Sequence, residues 1–150
     1  MKMKRTNKEV VEYFYERVFN AGDFSELDDL MWDDYKQHSP EVADGKEGFI
    51  EFFKEFLQGH PKTTTIQCLE DGDLVCMFFK CEMDGGVVVK VFDLYRLRDG
   101  KLAEHWDCTM RVDNMECNNP NTFLVIGSSP SISPNIDIRL LRTFSAYHFF

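Results

Sequence analysis

After Pro61 the sequence consists of four β-rich stretches joined by short turns. The stretches are "TTTIQCLE", "LVCMFFKCEM", "VVVKVFDLYRL" and "LAEHWDCTMR", and the turns between them are "DGD", "DGG" and "RDG". Consecutive strands joined by such tight turns pair in antiparallel fashion. The pattern predicts a meander of four antiparallel strands, and a sheet of this kind needs other elements to cover its apolar face.

Three helices are predicted ahead of the meander. Thr6 to Glu9 match a capping box, and apolar residues follow at helical spacing until Ala21-Gly22. A short second helix is predicted over Ser25 to Trp32. A third begins with Asp44 as N-cap, carries a stripe of phenylalanines and ends at Gly59 as C-cap. Helices followed by a meander predict an α+β domain in which a curved sheet wraps against the helices.

Composition narrows the possible functions. At 150 residues and 43% hydrophobic, the chain is predicted to form one domain with a sizeable core. A net charge of −9 disfavours a nucleic-acid partner, because phosphates are bound by clustered Lys and Arg. The basic start of the sequence has no apolar run, so we expect no signal peptide, no membrane partner and a cytoplasmic location. Five cysteines without CxxC spacing predict free thiols.

The end of the sequence has a different character. The stretch "NNPNTFLVIGSSPSISPN" is typical of a loop, and "IDIRLLRTFSAYHFF" fits either a terminal helix or an apolar tail. We therefore predict a compact domain over residues 1–117 and an atypical C-terminal extension over residues 118–150.

Polar residues interrupt the last two predicted strands. Asp93 lies in a row of apolar side chains on one face of its strand, because strand side chains alternate. A two-residue Asp99-Gly100 loop would pair Asp93 with Trp106 and turn His105 and Asp107 to the opposite face. A three-residue loop with Gly100 as a bulge would instead pair Asp93 with His105.

We expect the three-residue loop, which would also pair Val91 with Asp107. It brings Asp93, His105 and Asp107 to one face and leaves an apolar surface on the other. A carboxylate buried among Val and Tyr loses solvation, which favours its protonated form and makes it a candidate general base. The alternative is structural, with His105 bridging two acids at a solvated rim. The residues expected on the apolar outer surface are Phe92, Leu94, Leu102, Trp106, Cys108 and Met110.

His105 and Asp107 also fit two ligands of an iron site that has two histidines and one carboxylate. A third ligand is missing, because His38 lies in a distant loop and His148 in the C-terminal extension. We therefore expect no metal.

The stretches "YKQHSPEVADGKEGFIEFFKEF" and "VFDLYRLRDGKLAEHWD" carry a family resemblance. The sequence resembles the SnoaL-like polyketide cyclases, within the nuclear-transport-factor-2-like and ketosteroid-isomerase-like superfamily, from about Asn7 to Met110. The resemblance implies a cone-shaped α+β barrel around one deep pocket, and commonly a homodimer packed through the outer sheet face. It also implies aldol ring closure with neither cofactor nor metal.

By position, the resemblance assigns the general base to Asp107 and a second pocket position to Asp93. His105 and His38 are then expected to orient the substrate or stabilise an enolate. The side chains expected to line the pocket are Gln37, Trp32, Tyr35, Phe53 and Tyr95.

Two hypotheses follow for the function. The first is a cofactor-free acid/base enzyme acting on a hydrophobic, carbonyl-bearing small molecule by aldol cyclisation or isomerisation. The second is a non-catalytic module on the same fold for small-molecule binding or dimerisation, since one fold hosts many functions.

Overall fold

A computed structural model describes residues 5–116, 118, 119 and 121. Helices come first and a five-stranded sheet follows, so the α+β class predicted from the sequence is confirmed. The predicted C-terminal extension, residues 118–150, lies mostly outside the described residues. The elements are α1 (Asn7–Phe14), a π-helical segment (Tyr15–Asn20), α2 (Leu27–Leu30), β1 (Met31–Gln37), α3 (Gly45–Phe56), β2 (Lys62–Asp71), β3 (Leu74–Met83), β4 (Val87–Arg98) and β5 (Lys101–Arg111).

The first helix begins as the sequence predicts. The Thr6 hydroxyl accepts the backbone N–H of Glu9, and the Glu9 carboxylate accepts the backbone N–H of Thr6, which completes the capping box. The helix widens to π geometry from Tyr15 to Asn20. This wider turn falls where the helix meets the polar side chains of the sheet.

The second helix is a correction to the sequence prediction. It is a single turn, and Met31 and Trp32 belong instead to strand β1. β1 pairs in parallel with β5, at the edge of the sheet order β1-β5-β4-β3-β2. Met31 and Tyr35 are buried, whereas Asp33 and Asp34 are exposed, so the short strand lacks a clear alternation.

The third helix follows its prediction with two differences. Asp44 occupies the N-cap position, but its carboxylate accepts the backbone N–H of Gln37 at 2.8 Å instead of capping the helix. The chain leaves the helix through a 3-10 turn, and the left-handed residue is His60 rather than Gly59.

The β4–β5 hairpin differs from its predicted register. Asp99 and Gly100 form a two-residue loop, both with positive φ, and the Arg98–Lys101 pair closes it. The prediction of a three-residue loop is therefore wrong. Ala103 is an extra residue in β5, since Leu97 pairs with Leu102 but Arg96 pairs with Glu104.

The bulge at Ala103 nevertheless places Asp93, His105 and Asp107 together on one face of the sheet, as predicted. It shifts the pairing by one residue, so Asp93 lies opposite Asp107 and Tyr95 lies opposite His105, all on the inner face. Leu102 precedes the bulge and is fully buried, which corrects its predicted place on the outer surface. Phe92 and Met110 do lie exposed on that outer surface.

The core fills the space between the helices and the inner sheet face. Aromatic rings dominate it, and Phe49 stacks on Phe53 with ring centroids 4.2 Å apart. Edge contacts extend this cluster, because Phe19 meets Phe53 at 4.8 Å. The largest side chains that are almost wholly buried are Tyr15, Tyr35, Tyr95, Phe14, Met31, Met77 and Leu102.

Candidate active site

A buried carboxylate lies at the centre of the inner sheet face. Asp93 on β4 is 4% exposed, and the Tyr15 hydroxyl donates to its Oδ2 atom. The Tyr95 hydroxyl is 3.3 Å from the same oxygen and 3.1 Å from the Tyr15 hydroxyl. Two buried phenols from different elements therefore converge on one carboxyl oxygen.

Both phenols remain protonated at neutral pH. Burial raises the pKa of Tyr15 and of Tyr95 well above the usual range of a phenol, and the neighbouring Asp93 carboxylate raises it further. The pKa of Tyr35 is raised in the same way, first by burial and then by Asp93. These hydroxyls are therefore hydrogen-bond donors rather than anions.

His105 on β5 is held between rings and polar atoms. Its imidazole stacks on Tyr95 with ring centroids 4.6 Å apart, and Tyr35 lies parallel on another side at 6.5 Å. Its Nδ1 atom is 2.8 Å from Gln37 Oε1. Its Nε2 atom is 3.4 Å from Asp93 Oδ1, which is within ion-pair distance but lacks hydrogen-bond alignment.

Asp107 is the more accessible acid of the inner face. It lies opposite Asp93 on the neighbouring strand and is half-buried. The Ser39 hydroxyl donates to its Oδ1 atom, and the Thr109 hydroxyl is 3.1 Å from Oδ2. One sheet face thus carries a buried acid bonded to phenols beside a half-buried acid bonded to aliphatic hydroxyls.

The structure brings most of the predicted site residues together. Gln37 lies opposite His105 on the adjacent strand β1, and Tyr35 is buried beside the same imidazole. Phe53 packs in the aromatic core near Phe19 and Phe49 rather than against the acids.

Two more predicted site residues, besides Phe53, lie away from this cluster. The exposed His38 stacks on Trp106 with centroids 4.7 Å apart, and its Nε2 atom is 3.0 Å from Glu104. Glu104 and Trp106 alternate with His105 along β5 and belong to the outer face. Trp32 donates from its indole to the carbonyl of Arg98, at the hairpin turn.

Sequence reasoning missed Tyr15 and Ser39. Tyr15 is four residues after Val11 and three before Val18, so helical spacing places it on the buried face. A buried tyrosine hydroxyl needs a partner, and that requirement is the signal that could have identified Tyr15. Ser39 follows the end of β1 and carries no comparable signal.

Among the residues that the structure describes, no group of three or more His, Cys, Asp or Glu side chains is arranged to hold a metal ion. In the same part of the chain, no helix has the length and apolar character needed to cross a bilayer.

Helices packed on a curved mixed sheet, with polar side chains gathered on the covered face, define a nuclear-transport-factor-2-like domain. The structure is similar to an NTF2-like protein of unknown function from Cytophaga hutchinsonii, with a TM-score of 0.61 and 19% identity. That similarity covers 73% of this chain and 95% of the other.

The sequence identifies the family within this fold. Residues 11–105 match the model of the SnoaL-like domain, which is more than half of the chain. The protein therefore belongs to the SnoaL-like family, as the resemblance in its sequence indicated. No curated protein sequence matches the chain.

Two further solved structures are similar in fold. IdmH from Streptomyces antibioticus, a protein assigned to the polyketide cyclases, has a TM-score of 0.59 and 22% identity, covering 70% of this chain and 92% of IdmH. TsrD from Streptomyces laurentii has a TM-score of 0.58 and 24% identity, covering 72% of this chain and 91% of TsrD. At these identities the likeness concerns the fold alone.

Proposed function

We propose that this protein is a cofactor-free acid/base enzyme that acts on a hydrophobic, carbonyl-bearing small molecule. The reaction class is aldol cyclisation or double-bond isomerisation. The observation that carries the proposal is the placement of two acids opposite each other in different surroundings, Asp93 buried with two phenols and Asp107 half-buried. Unequal surroundings are what allow two carboxyl groups to take different roles in one reaction.

Asp107 is the proposed general base. It is the less buried of the two acids, and its hydrogen bonds come from two hydroxyls that can yield to a substrate. Removing a proton next to a carbonyl leaves negative charge on the carbonyl oxygen. That charge needs a hydrogen-bond donor at the moment it forms.

The buried side of the cluster supplies the proposed donors. Tyr15 and Tyr95 keep their hydroxyl protons at neutral pH, because burial raises the pKa of both phenols. Asp93 in its protonated form and His105 are further proton carriers on this side. His38 has no part in this mechanism, since its ring lies against Trp106.

Proton exchange at carbon tests the mechanism without knowledge of the natural substrate. The probe is 1-tetralone, an apolar bicyclic ketone, incubated with the protein in heavy water and followed by proton NMR. We expect the wild-type protein to accelerate loss of the proton signal next to the carbonyl. General acid/base catalysis contributes about 10²-fold to 10⁴-fold, so Asp107→Asn should lose most of the acceleration.

The matched control is Asp71→Asn, which removes the same charge at an exposed position of β2. Urea unfolding should show similar stability for all three proteins. A wild-type protein that exchanges 1-tetralone no faster than buffer contradicts the enzyme proposal and favours the binding module. Acceleration that survives in Asp107→Asn contradicts the assignment of the base.

We also propose that two copies associate through the outer sheet face. Phe92 is 51% exposed and Met110 is 54% exposed on this face, and Phe78 stacks on Phe92 with centroids 4.0 Å apart. Contiguous exposed apolar side chains of this kind are typical of interaction surfaces. Light scattering at micromolar concentration should give the mass of a dimer, and a monomer mass contradicts the proposal.

The expected cytoplasmic location also remains a proposal. It is supported by the cysteines in the described part of the chain, since Cys68, Cys76, Cys81 and Cys108 are all free. Fractionation of cells that express the protein tests it, and recovery from an extracellular or membrane fraction contradicts it.

A further inference from the structure

The Gln37 side chain has a fixed orientation. Its Oε1 atom is 3.0 Å from the backbone nitrogen of His38 and 3.2 Å from that of Ser39, and both N–H groups donate to it. A backbone N–H group can only donate, so the atom facing it must be the amide oxygen. Reversing the amide would set its NH₂ group against two donors.

This orientation determines which nitrogen of His105 carries a proton. Nδ1 lies 2.8 Å from the same Gln37 oxygen, which can only accept. Nδ1 therefore bears hydrogen, and the neutral imidazole has its lone pair on Nε2. The stacked Tyr95 ring and the pairing of β1 with β5 keep the imidazole in this position.

Nε2 lies near an acid without a hydrogen bond to it. Asp93 Oδ1 is 3.4 Å away, and the side chains of His105 and Asp93 are 10% and 6% exposed. A neutral imidazole facing an ionised carboxylate would bring two acceptors together. One proton placed on either partner removes this conflict.

Burial favours the states in which the pair has no net charge. An isolated buried ion costs more than an imidazolium beside a carboxylate, and a neutral imidazole beside a carboxylic acid buries no charge at all. The two states differ by movement of one proton from Nε2 to Oδ1. Around the pair, Tyr15, Tyr35 and Tyr95 stay neutral, and Asp107 is the remaining nearby acid.

We propose that Gln37 is a positioning residue: its amide fixes a proton on His105 Nδ1 and leaves Nε2 beside Asp93, so that imidazole and carboxyl hold a single proton between them as one neutral unit. The tautomer stands on hydrogen bonding alone. Its catalytic consequence rests on the proposed function, in which the His105–Asp93 pair is a proton carrier behind the Tyr15 and Tyr95 hydroxyls.

Nitrogen NMR of the imidazole tests the tautomer without any substrate. The full chain is labelled with ¹⁵N-histidine, and two-bond nitrogen–proton correlations distinguish a protonated from an unprotonated ring nitrogen. The His105 signals are assigned by their loss in His105→Asn. We expect the neutral His105 imidazole to carry its proton on Nδ1. Finding His105 neutral with its proton on Nε2 overturns the proposal.

Substitution of Gln37 separates positioning from simple packing. Gln37→Met removes the acceptor at similar size, and Gln37→Glu keeps an oxygen in its place. We expect the methionine variant to move the His105 proton to Nε2 and the glutamate variant to restore it on Nδ1. Lys36→Met, at the exposed neighbouring position of β1, is the matched control and should leave the His105 spectrum unchanged. An unaltered tautomer in Gln37→Met contradicts the proposal.

The kinetic consequence is measured with the 1-tetralone exchange assay. Loss of the partner that orients a metal-bound histidine costs about tenfold to a hundredfold in activity, and a buried histidine held by one amide should respond on the same scale. We expect kcat of Gln37→Met to fall by that factor with KM unchanged, and Gln37→Glu to recover most of it. If the wild type does not exchange 1-tetralone, the enzyme proposal fails, while the NMR result still decides the tautomer. If exchange occurs and Gln37→Met is as active as wild type, the positioning role fails alone.

Discussion

Removing the Tyr15 hydroxyl should cost the fold more than an ordinary surface hydrogen bond. Tyr15→Phe keeps the ring, which stacks on Phe19 at 4.5 Å and meets Phe79 at 4.9 Å, so apolar packing is preserved. The substitution removes the hydroxyl that donates to Asp93 Oδ2. The Tyr95 hydroxyl, 3.3 Å from the same oxygen, remains. A hydrogen bond to a charged group contributes about 1.5–3 kcal/mol, which sets the expected loss in the free energy of unfolding.

Urea unfolding measures this loss directly. With a slope of about 2 kcal/mol per M, the midpoint should fall by about 1 M while the slope itself stays constant. Tyr13→Phe is the matched control on the same helix, because its hydroxyl also donates to a carboxylate, that of Glu26 at 2.7 Å, but in a more exposed place. If Tyr15→Phe lowers the free energy of unfolding no more than Tyr13→Phe, the buried phenol–carboxylate hydrogen bond stabilises the fold no more than the exposed one.

Two further predictions concern stability. Gly48→Ala should destabilise the protein although alanine favours helices, because a Cβ atom at Gly48 would collide with the carbonyl oxygen of Ala43. Gly59→Ala is the control, since the nearest atom to its Cβ would be 3.9 Å away, and thermal melting should show no comparable loss of stability. Stability should also fall at alkaline pH. Burial raises the pKa of Cys81 to about 12 and that of Tyr35 well above its usual range, so both favour the protonated form in the folded state. Their contribution is complete below the unfolded values of about 8.5 and about 10 and is lost as pH rises above them. A urea midpoint that stays constant up to about pH 11 contradicts this expectation.

The sequence was sufficient for the elements whose signals are local. The capping box of Thr6 and Glu9 marks the start of the first helix, and turn residues mark each hairpin of the meander. The alternation along β4 placed Asp93 and Tyr95 on the buried face for the same reason. Each of these features depends on residues a few positions apart.

Features that depend on distant partners were not predictable in this way. Strand β1 is short and rich in acids, and it is a strand because β5 lies beside it, far along the chain. The bulge at Ala103 has no marker residue, so the hairpin register could not be read from loop length alone. His38 was expected at the site from the family resemblance, yet it lies past the end of β1 and its ring stacks on Trp106 of the outer face.

The bulge at Ala103 makes the inner position of His105 and Asp107 depend on local backbone geometry rather than on the identity of either residue. Ahead of the bulge, even-numbered Leu102 faces the core, and beyond it odd-numbered His105 and Asp107 do. If Ala103 paired as an ordinary strand residue, both polar side chains would face outward, whereas deletion of Ala103 would leave a regular ladder with both still facing inward. In evolutionary terms, a one-codon deletion at Ala103 would give a related protein with a regular hairpin and the same acid-lined interior.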